Sequence, residues 1–176
     1  MTDKNKKALS IRELVLFAML GALMFCSKII MEALPNVHLL GMFTIVFTIV
    51  YRKKALIPIY VYVALVGIYA GFAYWWVHHL YVWTILWGIT MLLPKKMPRV
   101  VAIIVYCTVG CLHGLLYGAM SAPVEAVVHG FNFEQTLAWI GYGMPFDVIH
   151  AIGNTVTALL VLPLSELLLK LEKNKR

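Results

Sequence analysis

The chain has 176 residues, 62% of them hydrophobic and only 13% charged, against roughly 45–50% apolar and about 25% charged in an ordinary soluble domain. A chain this apolar needs lipid as its solvent, which excludes a soluble class and leaves no room for a separate soluble domain. The net charge of +7 does not mark a nucleic-acid binder either, because fourteen of the fifteen basic residues fall into four tight clusters.

Lys4, Lys6, Lys7 and Arg12 open the chain; Arg52, Lys53 and Lys54 follow, then Lys95, Lys96 and Arg99, and finally Lys170, Lys173, Lys175 and Arg176. The clusters recur after every second apolar span. This positive-inside pattern predicts an even number of spans with all four clusters in the cytoplasm. The expected fold is an all-α integral membrane protein of six transmembrane helices, a single domain over residues 1–176, with cytoplasmic N and C termini.

The first predicted helix covers residues 10–33. Ser10 and Glu13 form a capping box at its start, and the run is long enough for a tilted span. It has no A-x-A-like site, so it does not read as a cleavable signal peptide. Leu34-Pro-Asn-Val37 is the outer turn. The second helix, 38–51, is short for a span, so its ends are drawn in or protein shelters its outer end. The third covers 55–72, with Pro58 tolerated in its first turn.

An uncharged outer turn, Tyr74-Trp-Trp-Val-His-His79, leads to the fourth helix, 80–93. Pro94 to Arg99 is a cytoplasmic turn before the fifth, 100–120. Residues 121–143 read as a long outer loop holding short amphipathic helices, one at Pro123–Val128 and one capped by Asn132 with Gln135 reaching back. The sixth helix runs 145–170. No internal repeat is visible, which argues against an inverted-repeat transporter.

The sharpest functional feature is a polar stripe on the sixth helix. Asp147, His150, Asn154 and Thr157 recur at spacings of three, four and three, within about 80° of arc. A charge deep in a bilayer costs about 2.5–3.5 kcal/mol on insertion scales, so such groups face a cavity or a partner. A substrate-facing stripe is one reading. The other is structural: Pro145 at N1 puts Asp147 at N3, where a carboxylate favours the helix dipole, and Asn154 bonds a neighbouring helix.

Trp75, Trp76, Trp83, Trp87 and Trp139 all fall in the outer half or near mid-membrane. An aromatic belt dresses both interfaces, so a one-sided excess points to an aromatic-lined site open outward, although Trp75 and Trp76 alone suit a belt. Trp83 and Trp87 share a helix face. His38, His78, His79, His129 and His150 show the same bias, with His113 inside the fifth helix. None makes a metal-binding spacing, and they read as hydrogen-bonding groups, with ligation of a metal-containing substrate as the alternative. Lys28 and Glu32 form an i,i+4 pair that reads as mutual neutralisation.

Small residues recur at Gly110, Gly114 and Gly118, at Gly67 and Gly71, and at Ala18, Gly21 and Ala22, each a site for close helix contact. Cys26, Cys107 and Cys111 sit within apolar spans and read as buried hydrophobes rather than disulfide or zinc ligands. There is no GxxxxGK[ST], GxSxG or HExxH motif, so the chain carries no ATPase or hydrolase signature of its own.

Three stretches resemble the S components of energy-coupling factor (ECF) transporters, the vitamin-binding membrane subunits. Ser10-Ile-Arg-Glu-Leu-Val-Leu-Phe-Ala-Met-Leu-Gly-Ala-Leu resembles their first helix, with Ala18 and Ala22 on an Ala-x-x-x-Ala motif. Leu34-Pro-Asn-Val-His-Leu-Leu-Gly-Met-Phe resembles their helix 1–2 turn, and Phe146-Asp-Val-Ile-His-Ala-Ile-Gly-Asn154 the start of their sixth helix. With size and span count, the resemblance covers the whole chain and is strongest to the cobalamin-type S components of lactobacilli. It implies a multi-pass protein of a bacterial cell membrane that binds a vitamin from outside and docks on a transmembrane coupling subunit carrying two ATPase subunits. Ala18, Gly21 and Ala22 would form the docking face. The substrate site would use Asp147, His150, Asn154, Trp83, Trp87, Trp75, Trp76, His79, His38 and Asn36. The chain itself would hold no cofactor or metal; ATP and magnesium are used by the partner subunits, and cobalamin is the cargo. Riboflavin, pantothenate and folate are alternative cargoes, and a small membrane channel or scaffold outside the ECF class is the alternative function.

Overall fold

The computed structural model describes residues 9–34 and 36–173. The terminal basic residues Lys4, Lys6, Lys7, Lys175 and Arg176, and Pro35 of the first outer turn, lie outside the described residues. Among those described, every regular element is helical: α1 Ile11–Ile30, α2 Leu40–Tyr51, α3 Leu56–Ala70, α4 Tyr74–Val77, α5 His79–Leu92, α6 Arg99–Leu115, α7 Tyr117–His129, α8 Phe133–Ala158 and α9 Val161–Lys173. Short 3₁₀ turns at Met31–Ala33 and Arg52–Ala55 link α1 to α2 and α2 to α3.

Local chemistry sets the starts. The Glu13 amide donates to Ser10 Oγ at 3.2 Å, and the Ser10 amide donates to Glu13 Oε2 at 3.1 Å. The same reciprocal box opens α8, where Asn132 and Gln135 exchange bonds of 2.8 and 2.9 Å. Gly130, at φ 67°, closes α7, in the left-handed region where a glycine costs least.

The helix α2 is the hub of the bundle. It is buried along most of its length, with Leu40, Ile45, Val46 and Phe47 in the core, and it packs against α5, α8 and α9. Its twelve residues rise only about 18 Å. It can be this short because protein surrounds it, and its N-terminal end, at Leu40, lines a cavity.

The stretch Leu40–Ala70 is long and apolar enough to cross a membrane, yet it is not straight. Leu40 and Tyr62 line one cavity, whereas 22 residues of unbroken helix would hold them about 33 Å apart. The chain reverses at Arg52, whose φ of 54° ends α2. Arg52 then ties the turn down: its guanidinium donates to the Met91 carbonyl at 2.9 Å, and its carbonyl accepts from Trp87 Nε1 at 3.1 Å.

Three stretches, Ile11–Ala33, Leu40–Ala70 and Arg99–His129, have the length and apolarity of membrane spans, and α8 with α9 makes a fourth if the bent pair counts as one. The basic turns meet at one end of the bundle. Lys54 pairs with Glu13, Arg52 reaches the end of α5, and Arg99 lies 4.0 Å from Glu166 of α9.

Three boundaries differ from the sequence expectation. Residues 121–143 are not a loop: Ser121–His129 belongs to α7, and α8 starts at Phe133 and runs through Pro145. The Asn132 cap starts that helix well upstream, and the proline sacrifices one interior hydrogen bond without ending it. The break comes instead at Leu159–Leu160, where α8 and α9 bend by 45°. Pro163 explains it, since it cannot donate to the Leu159 carbonyl and its ring crowds that group. The predicted fifth helix is likewise divided, at Leu116, into α6 and α7.

Candidate functional site

At the end away from the basic turns, six helices converge on a cavity of about 240 Å³. Lys28 of α1, Leu40 of α2, Tyr62 of α3, His79 and Trp83 of α5, Tyr117 of α7 and His150 of α8 supply the walls. Met31, Glu32, Leu34, Asn36, Val37 and His38 come from the connection between α1 and α2 and cover it. That connection turns at Asn36, with φ 58°, a left-handed conformation that asparagine adopts more readily than most residues.

The lining is a mesh of rings. His38 and His150 have centroids 4.6 Å apart, Tyr117 and His150 4.8 Å, and His38 and Trp83 5.8 Å, all edge-to-face, a favoured aromatic geometry. Tyr62 and Trp83 add a fourth such pair at 6.0 Å. Trp83 is 1% exposed and His150 3%.

These side chains are polar as well as aromatic, and much of that polarity is unpaired. His38 Nδ1, Tyr62 OH, His79 Nδ1, Trp83 Nε1 and His150 Nε2 are buried without a hydrogen-bond partner in the protein. Each such group costs about 1–3 kcal/mol, and buried polar atoms are nearly always satisfied. All five belong to side chains around this cavity, though the atoms themselves are sealed by their neighbours. His38, in the connection outside the helices, is neutral at physiological pH: burial first, then His150 and His113, push its pKa down to about 3. Among the described residues, no group of three or more His, Cys, Asp or Glu side chains is placed to hold a metal ion.

The expected site residues therefore separate. Asn36, His38, His79, Trp83 and His150 line the cavity. Asp147 does not; both its carboxylate oxygens accept the Gly118 amide of α7. Nor does Asn154, which is buried between the close approaches of Gly41 and Gly110, with both atoms of its amide unpartnered. Trp87 faces the opposite end, on the Arg52 carbonyl, because one turn along an α5 of only fourteen residues carries it past the middle. Trp76 donates to the Val63 carbonyl at 2.8 Å. Trp75 lies beside His79, ring centroids 5.8 Å apart, and reaches the site only through it.

Two polar wall residues escaped the sequence reading. Tyr117 lies four residues after His113 on the same apolar run, and Tyr62 sits mid-way along α3. A tyrosine far from both ends of a span is the signal that was present, since belt tyrosines gather at the interfaces.

On α1, Ala18 is exposed and Ala22 half-exposed, beside exposed Leu14, Val15, Met19 and Leu23. Gly21 leaves that face. A Cβ there would lie 2.5 Å from Val61 Cγ1 and 2.8 Å from the Pro58 carbonyl, so its smallness serves the α1–α3 packing and not an outside partner.

No family model matches the chain, and no curated protein or solved structure matches it.

Proposed function

We propose that this chain is the vitamin-binding membrane subunit of an ATP-driven importer of the ECF type, residing in a bacterial cell membrane. It crosses the membrane six times, through α1, α2, α3, α5, α6–α7 and α8–α9, with both ends in the cytoplasm. The meeting of the basic turns at one end supports that orientation, under which the cavity lies in the outer half. The observation that carries the reading is the cavity itself: a small chamber under a non-helical cover, walled by Lys28, Leu40, Tyr62, His79, Trp83, Tyr117 and His150. Ligand sites are concave and lined mainly by apolar and aromatic side chains, with a few polar groups that orient the ligand. The exposed Ala18–Ala22 face is the docking surface for the coupling subunit, which carries the two ATPase subunits.

Sequence resemblance favours cobalamin as the cargo. The cavity volume weighs toward something smaller, because drug-sized ligands already occupy roughly 300–1,000 Å³. The decisive experiment is reconstitution. The tagged chain, produced with an ECF coupling subunit and its ATPases, is expected to form a complex and to drive ATP-dependent uptake of one vitamin into proteoliposomes. Failure to bind the coupling subunit, together with ATP-independent flux, would replace this reading with a channel or scaffold.

A further inference from the structure

At the basic end of the bundle we infer that a second pocket holds the phosphate headgroup of an anionic membrane lipid. This inference is independent of what the cavity at the other end captures. The pocket has a volume of about 280 Å³ and opens where α2, α5, α6 and α9 meet. Ile49, Arg52, Thr90, Lys95, Tyr106 and Leu169 contribute to its wall.

Charge comes first. Arg52 and Lys95 are both cations, and no Asp or Glu lines the pocket. Two acids of this end are engaged elsewhere: Glu13 pairs with Lys54, and Glu166 lies 4.0 Å from Arg99. The Arg52 guanidinium carries five N–H donors and gives one to the Met91 carbonyl. The remaining fork suits phosphate oxygens. A neighbouring pocket of about 370 Å³ makes the contrast, because there Glu13 and Glu172 accompany Lys54 and Lys173 and the charges compensate. The positive-inside rule places basic residues at this end. It does not require two of them to share one concave space without an acid.

The Arg52 backbone is a second observation. Its φ of 54° and ψ of −120° lie where glycine enters freely and other residues rarely go. A turn that only reversed the chain would be built at less cost with glycine. Strained residues of this kind gather at ligand sites.

The apolar part of the site points to a lipid as the source of the phosphate. Leu93 and Pro94 join Ile49 and Leu169 on the wall. Beside Leu93, the outward side of α5 presents Ile85, Ile89 and Leu92, the last 86% exposed. Their spacings of four and three put them on one helix face, a track for an acyl chain leading from the pocket. A soluble phosphate would use none of it. The volume equals that of about nine waters at roughly 30 Å³ each, the scale of a phosphate with its glycerol. Basic pockets between membrane helices on the cytoplasmic side are where anionic headgroups bind.

The test is native mass spectrometry of the full-length protein in detergent, titrated with dioleoylphosphatidylglycerol and dioleoylphosphatidylcholine. The two lipids share their tails and differ in net charge. Phosphatidylglycerol is expected to be retained at one per chain, at least fivefold more tightly than phosphatidylcholine. Lys95 is exposed in a turn, so Lys95→Gln leaves the fold intact. It is expected to weaken phosphatidylglycerol about fivefold, the worth of one basic residue against an anionic leaflet. Leu169→Trp keeps every charge but fills the space, and is expected to weaken it as much. Lys53→Gln removes an equal charge from the same end, outside both pockets, and is expected to leave retention unchanged. Equal retention of the two lipids, equal losses in Lys95→Gln and Lys53→Gln, or undiminished retention in folded Leu169→Trp would overturn the inference. Glycerol 3-phosphate supplies the headgroup without tails. Binding of it as tight as that of the lipid would overturn the lipid assignment in favour of a soluble anion.

Discussion

The Gly118 amide donates to both carboxylate oxygens of Asp147, at 3.1 and 3.2 Å. Gly118 is in the first turn of α7, where backbone N–H groups have no partner within the helix. A carboxylate there also meets the positive end of the helix dipole. Asp147 is thus a cap supplied by α8 to the start of a different helix. A Cβ on residue 118 would collide with Asp147 Oδ2 and push the carboxylate off this amide.

Asp147→Leu is therefore expected to act on stability. It strands the Gly118 amide in a buried seam, at about 1–3 kcal/mol, and should lower the melting temperature in detergent while the folded fraction binds ligand with near-normal affinity. His150→Leu, one turn along on the cavity wall, should do the reverse, weakening binding about tenfold with a smaller effect on melting. Measuring both quantities on both variants separates the roles. A loss of affinity in Asp147→Leu without a loss of stability would return that carboxylate to the ligand site.

The α6–α8 seam depends on its glycines. A Cβ at Gly114 would lie 2.7 Å from the Ala151 backbone, and backbone cannot rotate out of the way. Gly114→Ala is expected to destabilise by about 1–3 kcal/mol, as overpacking does. Gly88, on α5, has nothing within 4 Å of such an atom, so Gly88→Ala should be neutral or stabilise by about 0.4–1 kcal/mol. Equal effects at the two positions, by thermal denaturation, would contradict the packing described here.

On the proposed importer reading, docking and ligand capture are separable. Ala18 is exposed and remote from the cavity, so Ala18→Trp is expected to abolish complex formation with the coupling subunit and uptake, while the isolated chain binds ligand unchanged. The basis is steric, as bulk on a close-packed face prevents approach. Normal uptake by this variant would remove α1 from the docking role.

Orientation is tested by labelling in intact cells. Lys96→Cys lies in the basic turn before α6, and Val127→Cys near the tip of the α7–α8 hairpin, where the native valine is 84% exposed. An impermeant thiol reagent added outside is expected to modify the second and spare the first, in a background with Cys26, Cys107 and Cys111 replaced. The opposite pattern would invert the topology and the placement of the cavity with it.

Much of this fold is legible along the chain because it rests on local chemistry. An apolar stretch makes helix, the Ser10–Glu13 and Asn132–Gln135 boxes start helices where they occur, and the turns around Arg52 and Lys95 are marked by their own charges. The site is less so. Asp147, His150 and Asn154 share one helical stripe, and nothing within that stripe says which member faces space, which caps a neighbour and which is sealed between two glycines. Those fates were set by residues far away in sequence: His38 and Trp83 opposite His150, Gly118 beside Asp147, Gly41 and Gly110 against Asn154. Two prolines give the same lesson. Pro145 passes inside α8 while Pro163 coincides with the bend, since losing one hydrogen bond ends a helix only where the packing around it offers the chain a new direction. Local propensity determined the elements; only tertiary packing decided which of their polar groups line the cavity and which are sealed in a seam.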